Sequence, residues 1–272
     1  MLSKPAYSKF KTAQLESSMT DRLRIRSGEF NGTTSGLAPG FVQGNVVIIP
    51  AAYADDFYAF CNKNPTPCPL ISVSNAGDPS MPALGRDLDI RYDVPEYAVF
   101  RNGKRSDTLT DLESVWRDDL VTFVLGCSFS FEDALQSAGI GVRNVDTCVN
   151  VSMFRTNIPT VPVGPFSGNL VVTMRPFKTR DAIRAIQITT RLPKAHGAPI
   201  HFGDPELIGI KNIAMPEFGD PVEIFAEEVP VFWGCGVTTQ VALEQAKLPF
   251  AITHAPGKML ITELLNDELA IL

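Results

Sequence analysis

The chain has 272 residues, of which 44% are hydrophobic and 20% charged, and its formal net charge is −6. That length can bury a sizeable core and lies near the point where one core divides into two. Without a basic stripe the chain lacks the clustered Lys and Arg that binding to nucleic acid by counterion release requires, so nucleic acid is not an expected partner. No window approaches the roughly 18 consecutive apolar residues of a membrane span, and Met1 to Thr20 has neither the apolar core nor the cleavage site of a secretory leader. The five cysteines, Cys61, Cys68, Cys127, Cys148 and Cys235, are scattered and form no C-x-x-C pair, so neither a disulfide framework nor a zinc site is indicated and a cytoplasmic location is expected.

In chain order, a short helix is predicted over Met19 to Ser27, followed by the glycine-rich run Gly32 to Gly40. That run lacks the Gly-Lys-Ser/Thr ending of a phosphate loop and precedes a strand, so nucleotide binding is not supported. Val46 to Ile49 is a β-branched run bounded by Pro50, the pattern of a strand buried on both faces. A helix over Tyr53 to Asn64 and a strand over Leu70 to Val73 complete a unit of the parallel-sheet kind. Tyr97 to Arg101 followed by Asn102-Gly103 predicts a hairpin. Thr110-x-x-Glu113 has the form of a capping box opening a helix. Further strands are expected at Val121 to Leu125, Leu170 to Met174, Val229 to Trp233 and Phe250 to Thr253, with helices over Thr179 to Leu192 and Thr238 to Ala246.

These elements predict an α/β fold: a three-layer main domain with a mostly parallel or mixed sheet, formed by residues 1–141 and 206–272, and a smaller α+β insert over 142–205. One pattern occurs twice. An apolar strand, Gly-Cys and a hydroxyl-bearing turn into a helix appear in VTFVLGCSFSFEDAL from Val121 and in VPVFWGCGVTTQVAL from Val229. Ligands of open α/β sheets sit beyond the carboxyl ends of strands, so both turns are expected to face one crevice.

Eight segments in register resemble the D-glutamate cyclase family, catalogued as hydro-lyases. They are RSGEF with GTTSGLAPGFVQGN, NPTPCPL, LGCSFSFE, NVSMFRTNIP, GPFSGNLVVTMRP, HGAPIHFGDP, VPVFWGCGVTTQ and ITHAPGKM, which together span most of the chain. Thr33, Ser35 and Thr239 depart from the family's usual proline, alanine and proline. The resemblance implies a lyase acting on a small amino or hydroxy acid, with closure of D-glutamate to 5-oxo-D-proline and loss of water as the activity attached to the family.

Lactam closure requires an amine nucleophile, an electrophilic carboxyl group and an anchor for the second carboxylate. Arg155 and Arg175 are candidate anchors because a guanidinium bonds two carboxylate oxygens at once, with Asn157 assisting. His201, followed three residues on by Asp204, and His254 are candidate bases; Glu132, Cys127 and Cys235 are candidate acids. Ser128, Ser130 and Thr238 stand where helix N-termini can hold a carboxylate or oxyanion. Each has a structural alternative: inert buried thiols, serine caps, a glutamate complementing a helix dipole, arginines bracing the insert. His196, before Gly197-Ala198-Pro199, is expected to be a loop residue bonded to nearby backbone. A divalent metal held by His196, His201 and Asp204 is an alternative, but their spacing matches no metal-site signature, so a loop hydrogen-bond network is expected there and no cofactor is predicted.

Two other functions fit the same residues. Paired thiols on opposite faces of an α-carbon describe a two-cysteine racemase or epimerase, and the same crevice without turnover describes a small-acid binding protein. A homodimer is compatible with the chain, as with most soluble oligomers.

Overall fold

In the computed structural model residues 16–271 are described, so most of the stretch scanned for a leader lies outside the described residues. A helix over 16–26 (α1) precedes the glycine-rich segment. Ten consecutive buried residues form β1, Phe41–Pro50, and a 3-10 turn at Ala51–Tyr53 leads into α2, Ala54–Lys63. Next come β2 (Leu70–Val73), β3 (Tyr97–Arg101), β4 (Lys104–Leu109) and β5 (Leu120–Gly126). Helices α3 (Phe129–Ser137) and α4 (Arg143–Asp146) precede strands β6 (Ser152–Pro159) and β7 (Asn169–Lys178). The rest is α5 (Thr179–Thr190), β8 (His201–Phe202), β9 (Glu228–Gly234), α6 (Thr238–Ala246), β10 (Ala251–His254) and β11 (Leu260–Leu265). No helix among the described residues is long and apolar enough to cross a membrane.

The α/β class holds, but the expected parallel sheet does not: the pairings between named strands are antiparallel. One seven-stranded sheet runs β2-β5-β1-β10-β3-β4, with β11 also paired to β1, and a four-stranded sheet runs β6-β7-β9-β8. Strands β1 and β2 do point the same way, but β5 lies between them. A β-branched run reports burial on both faces, not direction. Here Val47 and Ile49 pack towards α2, against Phe57 and Phe60. Val46 and Ile48 pack against Met81, Leu84, Ile90 and Leu112, from the segment between β2 and β5, which is irregular outside the β3–β4 hairpin. That segment covers the face that crossover helices cover in a parallel sheet.

The hairpin forms as its sequence predicts, with Asn102 and Gly103 both at positive φ (52° and 75°). Thr110-x-x-Glu113 opens no helix; the Asp111 carboxylate accepts the Glu113 N–H (3.0 Å) and the chain turns over 113–115. Strand β9, read from sequence as part of the main unit, pairs with β7 and β8 in the second sheet.

The turn that carries the chain to His196 depends on one close approach. A Cβ built on Gly126 would stand 1.6 Å from the carbonyl oxygen of Lys194, so only glycine lets the turn Pro193–Ala195 lie against the end of β5. Gly126→Ala is expected to destabilise the protein by at least the roughly 1–3 kcal/mol of core overpacking, measured as a lowered urea midpoint against wild type.

Candidate functional site

The repeated Gly-Cys pattern becomes a geometric one. Strand β5 delivers Cys127 to the start of α3 from the first sheet, and β9 delivers Cys235 to the start of α6 from the second. The two turns line one narrow crevice with a cavity of about 20 Å³, room for a water molecule. In both turns the thiol sulfur faces the N–H two residues on: Phe129 for Cys127 (3.5 Å) and Val237 for Cys235. Asn45, from the middle of β1, joins the two turns. Its Nδ2 donates to the Gly126 carbonyl oxygen (2.7 Å), and a Cβ on Gly236 would lie 2.2 Å from its amide carbon.

Two histidines border the crevice, and the backbone sets their ring nitrogens in opposite ways. His196 Nδ1 lies 2.8 Å from the Thr66 carbonyl oxygen. A carbonyl only accepts, so Nδ1 carries the proton and Nε2 keeps a free lone pair. His254 Nδ1 lies 3.0 Å from the Val46 nitrogen and 3.3 Å from the Val46 carbonyl oxygen; the N–H contact is the shorter and excludes a second hydrogen on Nδ1, so Nδ1 accepts and the proton sits on Nε2. Burial pushes both rings down to about 4, so both are neutral at pH 7. His196 also sits at φ 74°, a left-handed conformation uncommon for a residue with a side chain.

The thiols are not poised nucleophiles. Burial pushes Cys127 up to about 12 and Cys235 up to about 11, so both are protonated at neutral pH.

Beneath the crevice floor lies a buried ion pair. Arg175, on β7, contacts Glu132 Oε1 from α3 at 2.5 Å through Nη2 and 3.1 Å through Nε. The same guanidinium donates to Ser128 Oγ (3.0 Å) and Thr173 Oγ1 (3.1 Å), both from residues that line the crevice, and lies over the Phe131 ring. Asn144 Nδ2 completes the set by donating to Glu132 Oε1 at 3.0 Å. Arg175 and Glu132 therefore neutralise each other, and the arginine reaches the crevice only through the two hydroxyls.

Of the residues singled out from sequence, Cys127, Cys235, Ser128 and His254 line the crevice, with Glu132 and Arg175 supporting it. The others lie elsewhere. Arg155 is paired with Glu244 (3.1 Å) at the surface and Asn157 is exposed on β6. His201 is on the edge strand β8, its Nε2 against the Asp204 carbonyl oxygen (2.7 Å), while the Asp204 carboxylate caps a 3-10 turn; the pair is not a base with its orienter. Ser130 accepts the Gln43 N–H, and Thr238 accepts the Val171 N–H, so both hydroxyls tie helices to strands. Sequence reasoning misses Asn45 and gives His196 only a loop role. The signal for Asn45 is available: it is the amide polar residue directly before the run Val46 to Ile49.

Comparison with known proteins places the chain. A family model described as D-glutamate cyclase matches residues 121–263, more than half of the chain, including both Gly-Cys turns and both crevice histidines. The chain belongs to the D-glutamate cyclase family. Among its relatives, a protein of Aliivibrio fischeri (strain ATCC 700601 / ES114) named "Putative hydro-lyase" is 59% identical over 91% of this chain and 93% of its own length. One of the same name from Shewanella woodyi (strain ATCC 51908 / MS32) is 54% identical over 98% of this chain and 100% of its own. A solved nitrogen repressor-like protein from Methanococcus jannaschii aligns over 86% of this chain and 90% of its own, at 10% identity and a TM-score of 0.36, and carries no argument about function.

The buried groups of this family member make its stability depend on pH and on charge pairing. Its two histidines take up protons on unfolding from about pH 6.5 down to about 4, because the unfolded chain binds protons there that the folded chain refuses. Stability is thus full above about pH 6.5 and falls with pH across that window, by on the order of 3 kcal/mol per histidine. Urea titrations between pH 4 and 7 should show a slope that His254→Asn flattens. Arg175→Met leaves the Glu132 carboxylate buried without its counter-ion and should cost about 3–5 kcal/mol, part of it restored by adding Glu132→Leu.

Proposed function

We propose that the protein is a hydro-lyase whose crevice, between the two Gly-Cys turns, closes an acidic amino acid to its lactam, with D-glutamate to 5-oxo-D-proline as the reaction. The observation that carries this reading is the pair of oppositely protonated histidines at one crevice, in a chain whose family bears the cyclase name. Ring closure forms one N–C bond, breaks one C–O bond and moves two protons from the ammonium nitrogen to the departing oxygen, which leaves as water. His196 Nε2, with its lone pair free, accepts protons shed by the nitrogen and hands them to the oxygen. His254 Nε2–H stays neutral and donates a hydrogen bond to the carboxyl oxygen as negative charge develops there, a role a depressed histidine pKa suits.

The substrate's other carboxylate is favoured by the positive dipole ends of α3 and α6, whose N-terminal turns border the crevice. This assigns to backbone the role that sequence gave to Arg155 or Arg175. The protonated thiols argue against the racemase, which needs a thiolate to remove an α-proton. A cavity of about 20 Å³ is smaller than an amino acid, so substrate entry requires the crevice to open.

Proton NMR in deuterated water with D-glutamate, L-glutamate or 5-oxo-D-proline tests the reading. Interconversion of D-glutamate and 5-oxo-D-proline is expected, slowed roughly 100-fold or more by His196→Asn and little affected by Cys127→Ser. Exchange of the α-proton without dehydration would establish a racemase instead. Saturable binding with neither change would establish a binding protein.

A further inference from the structure

A second cavity, of about 60 Å³, lies beside the crevice, with Phe129 bordering both. The glycine-rich segment 36–41 walls it on one side, α3 on another and Asn266 on a third. Its polar lining is rich in oxygen. Gln43 is 3% exposed, and its amide is oriented without ambiguity because Nε2 donates to the carbonyl oxygens of Thr34 (2.8 Å) and Leu37 (3.0 Å); Oε1 then faces no donor among the described residues. Asn266 is 7% exposed, and its Oδ1 likewise meets no donor among the described residues. Glu132 spends Oε1 on Arg175 and Asn144, leaving Oε2 with only a distant Ser35 hydroxyl at 3.4 Å. Asp133 adds a carboxylate, and among the described residues no Lys, Arg or His lines the cavity.

We propose that this cavity binds one hard divalent cation through the oxygens of Gln43, Glu132, Asp133 and Asn266. Two carboxylates and two amide oxygens, with no nitrogen or sulfur donor, form the ligand set that selects Ca²⁺ or Mg²⁺ over softer metals. Cation binding would also satisfy two buried acceptors whose isolation is otherwise costly. The site is distinct from the crevice and stands whether or not the crevice is a cyclase; the two are linked through Glu132, which faces the cation with one oxygen and holds Arg175 with the other.

The test is calorimetric titration of EDTA-treated full-length protein with CaCl₂ and, separately, MgCl₂. Asp133→Asn and Asn266→Ala serve as variants, since neither side chain makes a hydrogen bond to the described residues. One cation per chain is expected, with affinity reduced at least 10-fold in each variant while the thermal midpoint without cation stays close to wild type. The proposal is overturned if neither cation binds at millimolar concentration, if binding is indifferent to both variants, or if only monovalent ions bind. None of these outcomes depends on turnover of D-glutamate, so a failed cyclase assay leaves the result readable.

Discussion

The crevice exists because a buried arginine on one sheet is neutralised by a glutamate following the other. Arg175 rises from β7 and Glu132 from α3, directly after β5, and their contact at 2.5 Å is the polar clasp between the two halves of the molecule. A charge at this depth is tolerated only with a partner and filled hydrogen-bonding capacity. Ser128, Thr173 and Asn144 fill it. The geometry of the pair thus sets the distance between the turns carrying Cys127 and Cys235, and through Ser128 it sets the orientation of the first turn of α3. Hydrophobic packing around Phe131 and Trp233 reinforces the contact but does not fix its register.

Much of this is legible in sequence where local chemistry decides the outcome. The hairpin at Asn102-Gly103 follows from two residues that tolerate positive φ, and the extents of β2, β3 and α6 follow from β-branched runs and helical spacing. The repeated Gly-Cys pattern predicts one crevice, and both turns line it. Strand direction is not legible, because a run such as Val46 to Ile49 records only that both faces are covered. What covers the second face is irregular chain on either side of the β3–β4 hairpin, whose apolar residues Met81, Leu84, Ile90 and Leu112 have no period to recognise. The capping-box reading at Thr110 fails because Asp111 competes for the same N–H groups and wins them for a turn.

The site is legible in its cysteines and obscure in its bases. His201 draws attention because Asp204 follows it closely, yet proximity in sequence brings the imidazole to the Asp204 backbone and not to its carboxylate. The loop setting that makes His196 look inert is what places it: the turn before it fits against Gly126 only because that residue has no side chain. Backbone partners then decide which nitrogen of each ring is free. Thr66 and Val46 lie 130 and 208 positions from their histidines, beyond any sequence pattern. Asn45 shows the converse, since an amide inside a buried strand is visible but its two partners are not.

Strand β1 has a consequence for how the molecule comes into being. It lies at the centre of the first sheet, yet two of its partners, β10 and β11, are among the last strands of the chain. During synthesis from the N-terminus β1 waits with one edge uncovered until residues beyond 250 have emerged, and His254 cannot meet Val46 before then. Such distant closure is entropically slow and leaves an apolar edge open to other chains. The crevice is consequently among the last features to form, and a nascent or truncated chain has neither its second histidine nor the strand that seals its floor.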